Sequence, residues 1–138
     1  MATILLVDDY APSHRLMSFV LEQNGYAVIS ALDGEQALNC LNLIPVDCIV
    51  TDLAMPHLDG IALAERVRND PRLSGLPIIM ITASGQESDA VKAAGAGIDT
   101  FLTKPVDSED LAQAVMRLVR ETAAKASAAM LNLRPSAA

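Results

Sequence analysis

Five short apolar runs separated by stretches of helical period confine this chain to an α/β architecture built on a parallel sheet. Residues 4–7, 27–31, 47–51, 78–82 and 100–103 read as strands. Residues 12–24, 34–41, 60–68, 87–94 and 108–120 read as helices. Parallel strands need crossovers of this kind. The runs are continuously apolar, as in strands covered by helices on both faces. Leu16, Phe19 and Val20 form one face of the first helix, which Asn24-Gly25 stops. The other helices present Ala37, Leu38 and Leu41, then Leu63 and Val67, then Leu111, Val115 and Leu118, with Asp107 as N-cap of the last. A doubly wound order 2-1-3-4-5 sets the first and third strands side by side at the switch point, beyond whose carboxyl ends ligands bind.

What stands at those ends is chemically specific. Ile4-Leu5-Leu6-Val7 runs into Asp8-Asp9, and Cys48-Ile49-Val50-Thr51 into Asp52. Ile78-Ile79-Met80-Ile81 runs into Thr82, and Thr100-Phe101-Leu102-Thr103 into Lys104. Carboxylates gathered with one amine and one hydroxyl suit Mg²⁺ and a phosphoryl group. Carboxylates sharing one pocket repel each other and raise the pKa of at least one member, and a divalent cation relieves this. Mg²⁺ takes oxygen ligands, keeps several waters and is commonly held by one or two carboxylates plus phosphate.

Composition narrows the partners. The net charge of −7 lacks the basic surface that direct, nonspecific nucleic-acid binding requires. The 138 residues are 51% hydrophobic but only 3% aromatic, so Ala, Leu, Ile and Val must fill the core of a single domain. Cys40 and Cys48 have no metal-ligand spacing and imply no disulfide framework, so a reducing cytoplasm fits. The first apolar run lacks the basic flank of a signal peptide, and no run approaches the ~20 residues of a membrane span. There is no internal repeat. After Arg120 the sequence turns Ala-rich: the expected division is a domain over 1–121 and a tail or linker stub over 122–138. The tail extends the last helix a turn or two at most, and Arg134-Pro135-Ser136 ends any helix.

Val7-Asp8-Asp9, Thr51-Asp52-Leu53-Ala54-Met55-Pro56, Leu58-Asp59-Gly60, Ile81-Thr82-Ala83, Ala96-Gly97-Ile98-Asp99 and Thr103-Lys104-Pro105 follow one another in register with the five βα units. In these pieces the chain, over about residues 3–120, resembles the receiver domain of two-component response regulators, and in particular the single-domain chemotaxis type. The resemblance implies a flavodoxin-like fold and a signalling phosphoacceptor rather than an enzyme. A histidine kinase or histidine phosphotransfer protein would donate phosphate to Asp52. Asp8, Asp9, Asp52 and the Ala54 carbonyl would hold Mg²⁺, and Thr82 and Lys104 would contact the phosphoryl oxygens. Phe101 stands at the family's aromatic switch position, paired with Thr82, and Lys104-Pro105 at its cis peptide. Ala54 and Ser84 would line the path of attacking water. Lacking a hydroxyl, Phe101 is expected to favour an inward rotamer.

The resemblance further implies a stand-alone module in the cytoplasm, monomeric or weakly dimeric, whose output is binding of a downstream protein. That output would run through the last two helices and fifth strand. Ala93, Ala94 and Gly95 prop the fourth helix poorly, as suits an element that moves. A Mg²⁺-dependent phosphohydrolase would need an Asp-x-Asp pair after the first strand and a cap insertion. A flavin carrier would need a phosphate loop where Asp8-Asp9-Tyr10 stands. Three further residues have ordinary readings: His57 as an exposed loop residue, His14 as a surface residue of the first helix, and Tyr10 as a partly buried entry to that helix.

Overall fold

The computed structural model describes residues 1–132. Five parallel strands lie in the order β2-β1-β3-β4-β5: β1 is Thr3–Val7, β2 Ala27–Ala31, β3 Cys48–Asp52, β4 Ile78–Thr82 and β5 Thr100–Thr103. Between and after them run α1 (Ala11–Gln23), α2 (Gly34–Leu43), α3 (Gly60–Asn69), α4 (Gly85–Ala94) and α5 (Ser108–Asn132). This is the doubly wound, flavodoxin-like fold expected from the apolar runs. β3 and β4 are buried along their whole length, including Thr51, Asp52 and Thr82 at their carboxyl ends.

The sheet divides the interior in two. On one face Ile4, Leu6, Val50, Ile79 and Ile81 pack against Met17 and Leu21 of α1 and Leu111, Val115 and Leu118 of α5. On the other, Leu5, Val7, Ile49 and Ile78 pack against Ala37, Leu41, Leu63, Ala64 and Val67. Alternate residues of one strand serve opposite cores, as the pleat dictates. Burying each large aliphatic side chain contributes about 1.5–3 kcal/mol, which lets a core without tryptophan suffice.

The first helix corrects the sequence reading. Leu16 and Phe19 are 55% and 61% exposed, while Met17 and Leu21 are buried. Two apolar stripes run along α1, one through Leu16, Phe19 and Val20, the other through Met17, Val20 and Leu21. Periodicity alone gives no preference between them. The fit of Met17 and Leu21 between the sheet and α5 decides it.

Side-chain caps start four of the helices that leave the carboxyl edge, α2 to α5, while α1 opens with a proline in its first turn and no side-chain cap. Asp33 accepts from Gln36 N at 2.9 Å, Asp59 from Ala62 N at 2.8 Å, and Ser84 from Glu87 N at 3.2 Å. Asp107 Oδ1 accepts from Glu109 N and Asp110 N, as expected of an N-cap. The last helix runs to Asn132, twelve residues beyond the expected 120. Ala123, Ala124, Ala126, Ala128 and Ala129 have the highest helix propensity and carry it past the body of the domain. The expected stop at Arg134-Pro135-Ser136 lies outside the described residues.

At the opposite edge of the sheet one guanidinium ties two loops together. From α3, Arg68 donates to the carbonyls of Gly97, Ser74 and Leu76 at 2.9, 3.0 and 2.7 Å. It also pairs with Asp99 at 2.9 Å, and Asp99 accepts from Ile78 N at the start of β4. Beneath the carboxyl edge, Gly60 opens α3 in contact with the end of β3. A Cβ there would lie 2.5 Å from the Asp52 carbonyl oxygen and 2.7 Å from Met80 Sδ. The backbone contact has no flexible atom to relieve it. Gly60→Ala is therefore expected to destabilise the fold by about 2–3 kcal/mol, measured by urea denaturation. An unchanged midpoint would mean that α3 shifts freely.

Candidate functional site

Register brings the expected residues together. Val7 pairs with Thr51, so the next residues, Asp8 and Asp52, emerge side by side from adjacent strands. Asp52 pairs with Ile81, and Thr82 with Thr103, so Thr82 and Lys104 line the same edge. The ladder continues past the strand ends: Asp8 N bonds Ala31 O, Leu53 N bonds Ile81 O, and Lys104 N bonds Thr82 O. The backbone of each site residue is thereby fixed to a neighbouring strand.

One carboxylate oxygen from each of Asp8, Asp9 and Asp52 lies within 4.8 Å of the others. Asp8 is fully buried, Asp52 is 6% exposed and Asp9 faces solvent. Lys104 Nζ lies 3.0 Å from Asp52 Oδ2. Leu53 N donates to Asp52 Oδ1 at 3.1 Å. The Lys104-Pro105 peptide is cis. The donor set fits a small hard cation. All three groups offer oxygen, the ligand atom that Mg²⁺ takes.

Burial raises the Asp52 carboxyl above its ordinary range, and Asp8 adds to the rise; Lys104 and Leu53 N oppose them without cancelling it. Burial pulls Lys104 down, but the bond to Asp52 and the charges of Asp52, Asp8 and Asp9 outweigh it and leave the amine above its usual value. The pocket is thus short of positive charge. Elsewhere, burial among apolar neighbours, helped by Asp99 and Asp47, pushes the Cys48 thiol up to about 12, so it is an inert core group.

Several participants have no distinctive sequence signal. Ser13 donates to Asp8 Oδ2, and Tyr10 N donates to Asp8 Oδ1 at 2.8 Å. His14, expected on the surface, is half-buried: Nδ1 donates to the Asp8 carbonyl at 2.9 Å, and Nε2 lies 2.7 Å from Ser30 Oγ. The Tyr10 ring is 61% exposed rather than partly buried. Thr82 is fully buried at the end of β4, with its hydroxyl 2.8 Å from Ser88 Oγ. Ala54, Ser84 and His57 are exposed in the loops above the edge, His57 with a positive φ of 67°. Phe101 is half-buried and lies outside both cores, not turned fully inward, and the Lys92 ammonium stands 5.2 Å from its ring centre. A hydroxyl-free ring gains a cationic cover there that offsets some of its exposure.

The model of the response regulator receiver domain matches residues 4–116. The chain belongs to that family. Among its relatives, the DNA-binding dual master transcriptional regulator RpaA of Synechocystis sp. is 37% identical over 88% of this chain and 51% of its own length. The phosphate regulon transcriptional regulatory protein PhoB of Shigella flexneri is 35% identical over 96% of this chain and 60% of its own. The chain thus spans little more than half the length of these relatives. Two solved receiver structures superpose over nearly their whole length. The signal receiver domain of a histidine kinase from Syntrophus aciditrophicus has a TM-score of 0.82 and 32% identity, covering 88% of this chain and 92% of its own. The chemotaxis response regulator CheY4 of Vibrio cholerae has a TM-score of 0.79 and 30% identity, covering 86% and 98%. This receiver domain therefore has the architecture of a signalling phosphoacceptor; such domains bind Mg²⁺ at an acidic pocket, and this chain has an acidic cluster. Among the described residues no helix is long and apolar enough to cross a membrane.

The raised carboxyl of Asp52 sets the sign of a stability effect. A folded pKa above the unfolded value means that the folded receiver binds the proton more tightly. Stability is full at low pH and falls as pH rises through the Asp52 titration. Asp52→Asn removes that loss. Without divalent cations the variant is expected to melt above the parent at pH 7, with the difference vanishing at pH 3. Equal melting at pH 7 would show that Lys104 already neutralises the pocket.

Proposed function

We propose that Asp52 accepts a phosphoryl group from a sensor histidine kinase or a histidine phosphotransfer protein, and that the mark changes which downstream protein this receiver binds. The observation that carries this reading is the 3.0 Å pair of Lys104 with Asp52 inside the acidic cluster. A phosphoacceptor must be ionised to attack, yet burial raises its pKa. Lys104 and a bound cation both favour the ionised carboxylate. Asp8, Asp9, Asp52 and the Ala54 carbonyl would hold Mg²⁺, which when bound supplies positive charge to the carboxylates and to the phosphoryl oxygens.

In the transfer, an Asp52 carboxylate oxygen attacks phosphorus in line as the bond from phosphorus to the donor nitrogen breaks. Phosphoryl transfer depends on positioning and charge neutralisation more than on covalent help. Here β3 positions the nucleophile, and Lys104 neutralises one equatorial oxygen. The product is an acyl phosphate, which water later cleaves. Self-phosphorylation from a small donor and autodephosphorylation follow from the same chemistry. Thr82 then turns its hydroxyl to a new acceptor oxygen, and Phe101 moves inward from its half-buried position into the space left. A local charge change thereby biases two packings of the α4–β5 region.

The reading includes a cytoplasmic setting, a monomer or weak homodimer, and a receiver over 1–121 followed by an Ala-rich tail over 122–138. The −7 charge supports an output through protein rather than direct nucleic-acid contact.

Intact mass after incubation with Mg²⁺ and acetyl phosphate tests the acceptor. An added mass of about 80 Da is expected, dependent on Mg²⁺ and absent from Asp52→Ala. An adduct that survives in Asp52→Ala would move the acceptor elsewhere, and turnover of free phosphate esters would favour a hydrolase. Narrowing the water path with Ala54→Arg or Ser84→Tyr is expected to lengthen the acyl phosphate lifetime. Unchanged decay in both variants would remove those two positions from the path.

A further inference from the structure

Ser88 is buried one turn into α4 and has no part in the phosphoryl chemistry above. Its Oγ lies 2.8 Å from Thr82 Oγ1 and 3.2 Å from the Ser84 carbonyl oxygen. Thr82 Oγ1 lies 3.3 Å from that same carbonyl. Each hydroxyl has one proton to give. Either Thr82 donates to Ser88 and Ser88 to the carbonyl, or Ser88 donates to Thr82 and Thr82 to the carbonyl. Both arrangements commit the Thr82 hydroxyl to the start of α4 and away from Asp52. One turn further along the same face of α4, Lys92 covers the ring of Phe101 at 5.2 Å. The two residues that read as the switch are therefore each held by one residue of one helix.

We propose that Ser88 is a positioning residue that holds the Thr82 hydroxyl at rest, with Lys92 on Phe101 as the second point of a clasp seating α4 on the sheet. The proposal rests on the phosphoacceptor reading above and adds what restrains the switch. Without a phosphoryl group, a Thr82 hydroxyl that left Ser88 would lose a buried hydrogen bond and gain none. With one, it exchanges a neutral bond for a charge-assisted bond, which is about twice as strong. Ser88 keeps the Ser84 carbonyl as its partner, so the exchange strands no buried polar atom. Once Thr82 leaves, Val91 is the buried apolar side chain still anchoring α4 among those described. The helix is then free to shift, and its Lys92 contact with it. The bond between two hydroxyls thus sets both the threshold for switching and the moment at which α4 is released.

Calorimetric titration with Mg²⁺ and beryllofluoride, a phosphoryl mimic, tests the clasp in the full chain. Ser88→Ala is expected to bind the mimic roughly two- to tenfold more tightly, because Thr82 then has only the longer 3.3 Å contact with the Ser84 carbonyl to leave. Ser88→Cys keeps the volume but bonds weakly, and should shift the affinity in the same direction. In a Thr82→Ala background, Ser88→Ala should change nothing. Amide hydrogen exchange in the first turn of α4 should be faster in unliganded Ser88→Ala than in the parent. Unchanged or weaker binding in Ser88→Ala, or an equal effect with and without Thr82, overturns the clasp and leaves the phosphoacceptor reading intact. No binding of the mimic by the parent chain overturns that reading and the clasp with it.

Discussion

The carboxyl edge of this sheet is organised around one electrostatic difficulty: the Asp52 carboxyl sits at the end of a strand that is buried throughout. Fully buried Asp8 beside it makes the difficulty worse. Lys104 crosses from the loop after β5 to offset it, and the backbone bond between Lys104 and Thr82 fixes where that amine emerges. Ser13, Tyr10 N and His14 are spent on Asp8. The arrangement remains incomplete, because the pocket still raises the pKa of Asp52. That residual deficit of positive charge is one that a bound cation would relieve.

The fold delivers these groups with little local invention. Parallel pairing in the order 2-1-3-4-5 sets β1, β3, β4 and β5 side by side, from next to one edge of the sheet to the other edge. Residues just past their last ladder bonds must then converge. The helices begin at the same edge, and α2 to α5 each bring a side-chain cap, so most of the backbone needs there are met locally. Side chains above the edge remain available for chemistry and for switching.

Strand positions, strand order and the convergence of Asp8, Asp9, Asp52, Thr82 and Lys104 were legible because they follow from unbroken apolar runs and from what ends them. Three things were not. The inward face of α1 was ambiguous, since two stripes of equal apolarity share Val20. The length of α5 was underestimated, because alanine propensity sustains a helix that has lost its amphipathic pattern. Ser13, His14 and Ser88 gave no signal, because a serine or histidine in a helix reads as surface until tertiary packing brings a carboxylate or a second hydroxyl within reach. Their roles exist only in the folded state, so motif spacing carries no trace of them.

The Arg68 clamp gives the molecule a mechanical polarity. With three carbonyls and Asp99 bound to one planar group, the amino-terminal ends of β4 and β5 are pinned together. The opposite ends, where Thr82 and the residues after Thr103 stand, are tied instead by the bond from Lys104 N to Thr82 O and by the pair of Lys104 with Asp52. Sliding of the two strands along their axes would have to break all four Arg68 contacts. The strand register that aligns the acidic cluster is thereby secured from the end of the sheet farthest from it.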